Sequence, residues 1–182
     1  MTELDLTILA IIARDGPLSA YDVRKVFAQS LTSTWSSSTG SIYPSIRRLQ
    51  NAGHVAATAA KGARARKALR VTKSGRSAVD AWLADITPET AGPTPNPIRT
   101  RMYFVGIVDG TKRSAVIRQA KESTSAAIAA AQEARAARAT SNAADNVQHL
   151  ASEGVLFELR ARLDWLTWLE AQLRQSRPPK RR

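Results

Sequence analysis

The apolar positions recur first at helical spacing, then briefly at strand spacing, then at helical spacing to the end of the chain. Leu6, Leu9 or Ala10 and Ala13 form a helical stripe, widened by Ile8, Ile11 and Ile12. Thr2 can cap this helix with Asp5 three residues on, and Gly16-Pro17 stops it. Ser19 caps a second helix, Asp22 is placed for a capping box, and Val23, Val26, Phe27 and Leu31 are its apolar positions. The serine-rich stretch 33–38, with Trp35 in it, reads as a loop or turn. In a third helix Ile42, Ile46 and Leu49 share one face, and Gly53 ends it. Pro44 is tolerated only in a first turn, where its missing N–H would have no partner, so Ser41 is the expected N-cap. An earlier start would need a local distortion to absorb the proline.

The period then changes. Residues 55–60 and 67–72 are strand-compatible runs joined by 61–66, which contains Gly62, so they read as a hairpin. Their alanines are weak strand formers, and the reading leans on context. Thr72 caps a fourth helix with Val79, Trp82 and Leu83 as apolar positions. Four prolines and a glycine between Ile86 and Pro97 exclude a helix or a central strand and mark a boundary. Beyond it, 97–108 is a short apolar helix with Met102, Tyr103, Phe104 and Ile107, and Asp109-Gly110 is a turn. Residues 111–139 form a long alanine-rich helix, and 143–175 the last helix or helices, which Gly154 can interrupt. The order of helices and hairpin is that of a winged helix, whose third helix enters the major groove while the hairpin follows the backbone.

The fold class is therefore mainly α: an N-terminal winged helix-turn-helix, helices plus a two-stranded wing, with a C-terminal helical dimerisation domain. The expected divisions are a DNA-binding domain over 1–85, a proline-rich linker over 86–97, a helical dimerisation domain over 98–176 and a disordered basic tail over 177–182.

Charge narrows the function classes. Across 182 residues, 27 Lys and Arg stand against 15 Asp and Glu, a net charge of +12. Such a surplus favours polyanionic partners, nucleic acid or an anionic membrane surface. No stretch approaches the roughly 18 apolar residues of a membrane span. The start, Met1-Thr2-Glu3-Leu4-Asp5, is acidic, unlike a secretory leader. A soluble, cytoplasmic protein with no membrane partner is expected. The chain has no cysteine and only two histidines, His54 and His149, and its acidic residues are scattered singly. With no phosphate-binding glycine loop and no metal-ligand cluster, the expectation is no enzyme, no cofactor and no metal.

Candidate chemistry lies on the third helix and the hairpin. Ser41, Tyr43, Ser45, Arg47 and Arg48 are read as lying off the apolar face. Short hydroxyls permit close approach, and arginine can bond guanine in a bidentate manner. The plainer alternative is a solvated face with a buried tyrosine, and the helix alone does not choose. The hairpin tips the balance. Lys61, Arg64, Arg66, Lys67, Arg70, Lys73 and Arg76 follow one another with no acidic residue between them. So unmixed a run repels itself unless a polyanion neutralises it, and wing arginines contact phosphates or the minor groove. The candidate DNA-binding residues are therefore Ser41, Tyr43, Pro44, Ser45, Arg47, Arg48, Lys61, Arg64, Arg66 and Lys67.

These residues carry a family resemblance. Ser41-Ile42-Tyr43-Pro44-Ser45-Ile46-Arg47-Arg48-Leu49, with Gly53-His54-Val55 after it, resembles the recognition-helix signature of the PadR family of winged helix-turn-helix transcriptional regulators. Arg66-Lys67 and Arg70-Val71-Thr72-Lys73-Ser74-Gly75 resemble its wing and following helix cap, and Leu9, Gly16 and Ser19-Ala20-Tyr21-Asp22 fit its start. Ala68 and Leu69 depart from it, since members often carry aromatics on that strand. The resemblance implies a repressor of the type with a longer C-terminal domain, dimerising through C-terminal helices. Some such regulators respond to phenolic or drug-like compounds.

The last helix has two apolar stripes. Val155, Leu156, Leu159, Leu163, Leu166, Leu169 and Leu173 fall on one side, and Phe157, Ala161, Trp165 and Trp168 nearly opposite. A helix apolar on two sides needs cover on both, and a second copy is the simplest partner for one of them. Phe157, Ala161, Trp165 and Trp168 are thus the candidate dimerisation or effector pocket. The plainer role for the two tryptophans is interface core; the sharper one is a pocket for a flat aromatic effector. The expected function is a sequence-specific DNA-binding transcriptional regulator, a ligand-responsive repressor binding double-stranded DNA at an inverted repeat as a homodimer. The alternatives are a non-specific nucleic-acid-binding or architectural protein, and a protein-interaction module built on the C-terminal helices.

Overall fold

The computed structural model describes residues 1–28, 38–58, 67–139 and 147–175. The chain divides into two units, Met1–Pro93 and Thr94–Arg182.

In the first unit, α1 spans Glu3–Asp15, α2 Ala20–Ala28, α3 Ile42–Asn51 and α4 Lys73–Ala84, with strands β1, Val55–Ala57, and β2, Leu69–Val71, between α3 and α4. Each start is fixed locally. The Thr2 hydroxyl accepts the Asp5 N–H at 3.2 Å while the Asp5 carboxylate accepts the Thr2 N–H at 3.0 Å. Ser19 and Asp22 repeat the exchange before α2, with bonds of 2.9 and 3.2 Å. A 3-10 turn, Ser38–Ser41, leads into α3. It carries helical backbone through Ser41, whose side chain makes no capping bond. Pro44 sits in the first turn of α3, where a missing donor costs nothing.

The core of this unit is one cluster: Ile8, Leu9, Ile11 and Ile12 of α1, Val23 and Phe27 of α2, Ile42, Ile46 and Leu49 of α3, Val55, Leu69 and Val79. α1 runs through its middle, contacting α2, α3, α4 and β2. The strands pair antiparallel, Val55 opposite Val71 and Ala57 opposite Leu69. β2 has a second neighbour that alternation did not predict. Leu18, between α1 and α2, exchanges both backbone bonds with Leu69, at 3.2 and 2.7 Å, and ties the root of the hairpin to the helices. The expected strands ran longer, to residue 60 and from 67; residues 59–66 lie outside the described set, as do Leu31 and Trp35.

The expectation that 86–97 excludes a helix needs correction. Pro88–Ala91 forms a single turn, α5. Pro88 occupies a first-turn position that needs no N–H, and Thr87 and Thr90 cap each other. Leu83 and Ile86 beside it are 62% and 74% exposed.

In the second unit, Asn96 caps α6, Pro97–Tyr103, and a 3-10 turn, Val105–Ile107, follows where a continuous helix to 108 was expected. Asp109 accepts the N–H groups of Thr111 and Lys112 at 3.0 and 2.9 Å and starts α7, Gly110–Ala139. The last helix, α8, runs Val147–Gln175 straight through Gly154. α7 and α8 are antiparallel, as two ion pairs show: Lys121–Glu170 and Arg135–Glu153, both 2.9 Å. Met102, Val105, Ile117 and Leu166 form the core. No helix among the described residues is long and apolar enough to cross a membrane.

Candidate nucleic-acid interface

α3 turns one arc into the protein and the other outward. Ile42, Ser45, Ile46 and Leu49 are all 5% exposed or less. At about 100° per residue, Tyr43, Pro44, Arg47, Arg48 and Asn51 share the opposite arc. All five are exposed, Tyr43 by 47%. The sequence-predicted set is therefore divided. Ser41, Tyr43, Pro44 and Arg47 face outward. Ser45, grouped with them from sequence, is fully buried, and this corrects the expectation that it lies off the apolar face. It stands three residues after Ile42 and four before Leu49, so it shares their face. Arg48 is half exposed, but its guanidinium folds back onto Asp5 of α1 at 2.7 Å. Asn51, one turn after Arg47 on the outward arc, was missed although the same spacing points to it.

On the hairpin, Lys61, Arg64 and Arg66 lie outside the described residues. Lys67 is exposed at the start of the returning segment, and Arg70, opposite Ala56, is exposed on β2. Lys73 and Arg76 open α4, where the Arg76 guanidinium donates to the Ala13 carbonyl at 3.2 Å. α2 adds cations that sequence reading did not single out. Arg24 and Lys25 are exposed, and the Arg24 guanidinium lies 5.7 Å from the centre of the Tyr21 ring. A wider signal could have found them: from Val23 through Val79 the chain has eleven Lys and Arg and no Asp or Glu. That span includes α2 from Val23 onward, α3, β1 and β2.

The join of α3 to the hairpin and α4 is tightly specified. Gly53 adopts φ +75, a left-handed conformation that favours glycine. The Thr72 hydroxyl donates to the Gly53 carbonyl at 2.7 Å and accepts the Gly75 N–H at 3.1 Å. Ser74 donates to the Gly53 carbonyl at 3.1 Å. A Cβ on Gly75 would collide with the His54 carbonyl oxygen. The Gly53-His54 and Thr72-Lys73-Ser74-Gly75 motifs are thus two halves of one joint that holds the wing against α3.

In the second unit, Leu156 and Leu166 of the leucine stripe are buried, and Val155, Leu159, Leu163, Leu169 and Leu173 are half-buried. The other stripe is divided. Phe157 and Trp168 are 68% and 59% exposed, Leu150 is 61% exposed, and Ala161 is exposed between them. Trp165 packs against the inner cluster of Met102, Val105, Ile117 and Leu166. It therefore leaves the group to which sequence reading assigned it. A cavity of about 170 Å³ lies elsewhere, lined by Arg113, Ser114, Ile117, Glu170, Leu173 and Arg174. Among the described residues no cluster of acidic and histidine side chains could hold a metal ion.

Residues 8–81 match the Transcriptional regulator PadR-like family. The Negative transcriptional regulator PadR of Bacillus subtilis (strain 168) is 28% identical over 118 residues, a match spanning 63% of this chain and 63% of that protein. Among solved structures, Bacillus subtilis PadR in complex with operator DNA superposes with a TM-score of 0.78 at 22% identity, over 94% of this chain and 98% of that one. Bacillus subtilis PadR in complex with p-coumaric acid also gives 0.78, at 21% identity, over 93% and 97%. At these identities the superpositions establish the shared fold.

Proposed function

We propose that this chain, whose residues 8–81 match the PadR-like family of transcriptional regulators, is a regulator of that family and no enzyme, a sequence-specific repressor binding an inverted repeat as a homodimer. One observation carries the reading. The outward arc of α3, with Tyr43, Pro44, Arg47 and Asn51, lies in a span of sequence that has eleven cations and no carboxylate. In this reading Arg47 and Asn51 read base edges, while Lys67, Arg70 and the wing cations Lys61, Arg64 and Arg66 hold phosphates. The exposed stripe Leu150, Phe157, Ala161 and Trp168 supports self-association, since a lone α8 leaves it in water. Two α3 helices related by a two-fold axis then meet half-sites about 34 Å apart. A cytoplasmic location goes with this role.

A footprint on the chain's own promoter region, with competition by random duplex, tests the proposal. Protection of both halves of an inverted repeat and a preference of at least about a thousandfold over random DNA are expected. Protection of a single half-site by a stable monomer, or a preference near unity, would leave a non-specific binder.

A ligand response is part of the proposal. A relative binds p-coumaric acid, and Trp168 with Phe157 offers an aromatic surface for a compound of that class at the seam between copies. Titration of tryptophan fluorescence with p-coumaric acid is expected to quench and to lower operator affinity. An unchanged spectrum would assign these aromatics to interface core alone.

A further inference from the structure

The span from Val23 through Val79 has no acid of its own, yet one of its cations is neutralised. Arg48 of α3 reaches Asp5 in the first turn of α1, Nη2 donating to Oδ1 at 2.7 Å and Nε to Oδ2 at 3.4 Å. The same Nη2 donates to the buried Ser45 hydroxyl at 2.7 Å. The Asp5 side chain is only 4% exposed. Its Oδ2 also accepts the Thr2 N–H at 3.0 Å. The base of this strut is itself anchored, because Trp82 of α4 donates its indole N–H to Glu3 in the same turn at 3.1 Å.

We propose that Arg48 is a positioning residue and not a DNA contact: Asp5 and Ser45 hold it so that α3 keeps one rotation against α1, and that rotation sets which base edges Arg47 reaches. The inference rests on the regulator reading above. Its argument is geometric. Apolar packing of Ile46 and Leu49 on α1 resists separation but only weakly resists sliding. A charge-assisted two-point bond fixes both angle and depth. Arg48 cannot turn to a phosphate without taking its counter-charge from the buried Asp5 carboxylate, which is strongly unfavourable. Phosphate, by contrast, has other exposed cations to meet in Arg24, Lys25, Lys67 and Arg70. Among the described residues, Arg47 is then the guanidinium of α3 that stands on the outward arc for base readout.

Two probes test this: a duplex selected from a randomised pool by the wild-type chain, and a random-sequence duplex of equal length. Asp5→Asn, Arg48→Met, the double variant and Arg48→Lys are compared across a salt series. Each of the first two is expected to lose about tenfold of the preference for the selected duplex, equivalent to the ~1.4 kcal/mol of a tenfold change. The double variant should lose no more than the worse single one, because both remove the same strut. Arg48→Met should keep the wild-type salt slope on random duplex, and Arg48→Lys should recover part of the preference. A chain that had merely lost its fold would lose both duplexes together with its cooperative melting; Arg48→Lys, which keeps the charge beside Asp5, then carries the comparison. The proposal is overturned if Arg48→Met flattens the salt slope by the roughly 0.9 of one phosphate contact while Asp5→Asn leaves preference intact. A wild-type chain that selects no sequence overturns the regulator reading itself, and this inference with it, before any variant is made.

Discussion

Arg47 and Arg48 are the same residue type at adjacent positions, and their surroundings separate them. Arg47 stands on the outward arc, and Arg47→Ala should cost about 1–3 kcal/mol of discrimination at one base pair. Comparing the selected duplex with its single-base variants would locate that position. Arg48 stabilises a buried carboxylate. Burial pushes the Asp5 carboxyl up, but hydrogen bonds from Arg48, Thr2 and Ser45 outweigh it and hold the group at about 2, against an ordinary 3.8. A carboxyl lowered in the folded state stabilises above its unfolded value, and that contribution is lost as pH falls through the folded one. The melting temperature should therefore drop between roughly pH 4 and pH 2, with about 2 kcal/mol at stake, and Asp5→Asn should flatten the drop. At this scale the sequence was half legible. The burial of Ser45 and the outward place of Asn51 follow from helical spacing around Ile42, Ile46 and Leu49. The partner of Arg48 does not, because Asp5 is 43 positions away and only the packing of α1 on α3 brings it near.

At the scale of elements, local chemistry announced the starts of helices better than their surroundings. Thr2-Asp5, Ser19-Asp22 and Thr72 cap as their sequence spacing predicts. The turn at Pro88 was hidden because proline density argues against helix in general, whereas one proline at a first-turn position favours it. The bridge from Leu18 to β2 was hidden because a single paired residue leaves no alternation to read. The Gly75 contact makes a sharp prediction. Gly75→Ala must push the His54 carbonyl away and should cost about 1–3 kcal/mol by urea unfolding, loosening the wing with it. On α8, alternating stripes were legible but the sorting of Trp165 from Phe157 and Trp168 was not, since α6 and the 3-10 turn after it decide which side is covered. Replacing both Phe157 and Trp168 with Glu should leave helicity by circular dichroism unchanged. It should weaken self-association by about a hundredfold or more in sedimentation, at about 2 kcal/mol for each large apolar side chain left in water.

At the scale of the molecule, the net charge of +12 is distributed rather than uniform. A carboxylate-free stretch carries α3, β1 and β2, and acids flank it. Binding to the selected duplex should therefore weaken steeply between low and physiological salt, and Lys67→Ala should reduce the slope by about 0.9 as one phosphate contact is lost. α1 has a different consequence. It lies at the centre of the first unit, and its partners Arg48, Leu69 and Trp82 are all made much later in the chain. No early segment can bury it alone, so the first unit must assemble around it in one cooperative step whose pace is set by distant pairings. The amides of Ile8, Leu9 and Ile12 should then exchange with deuterium only through global unfolding, while those of β1 and β2, on a short two-stranded ladder, exchange through local opening. The slowest protons of the first unit would then mark α1, a buried helix that carries none of the proposed base contacts.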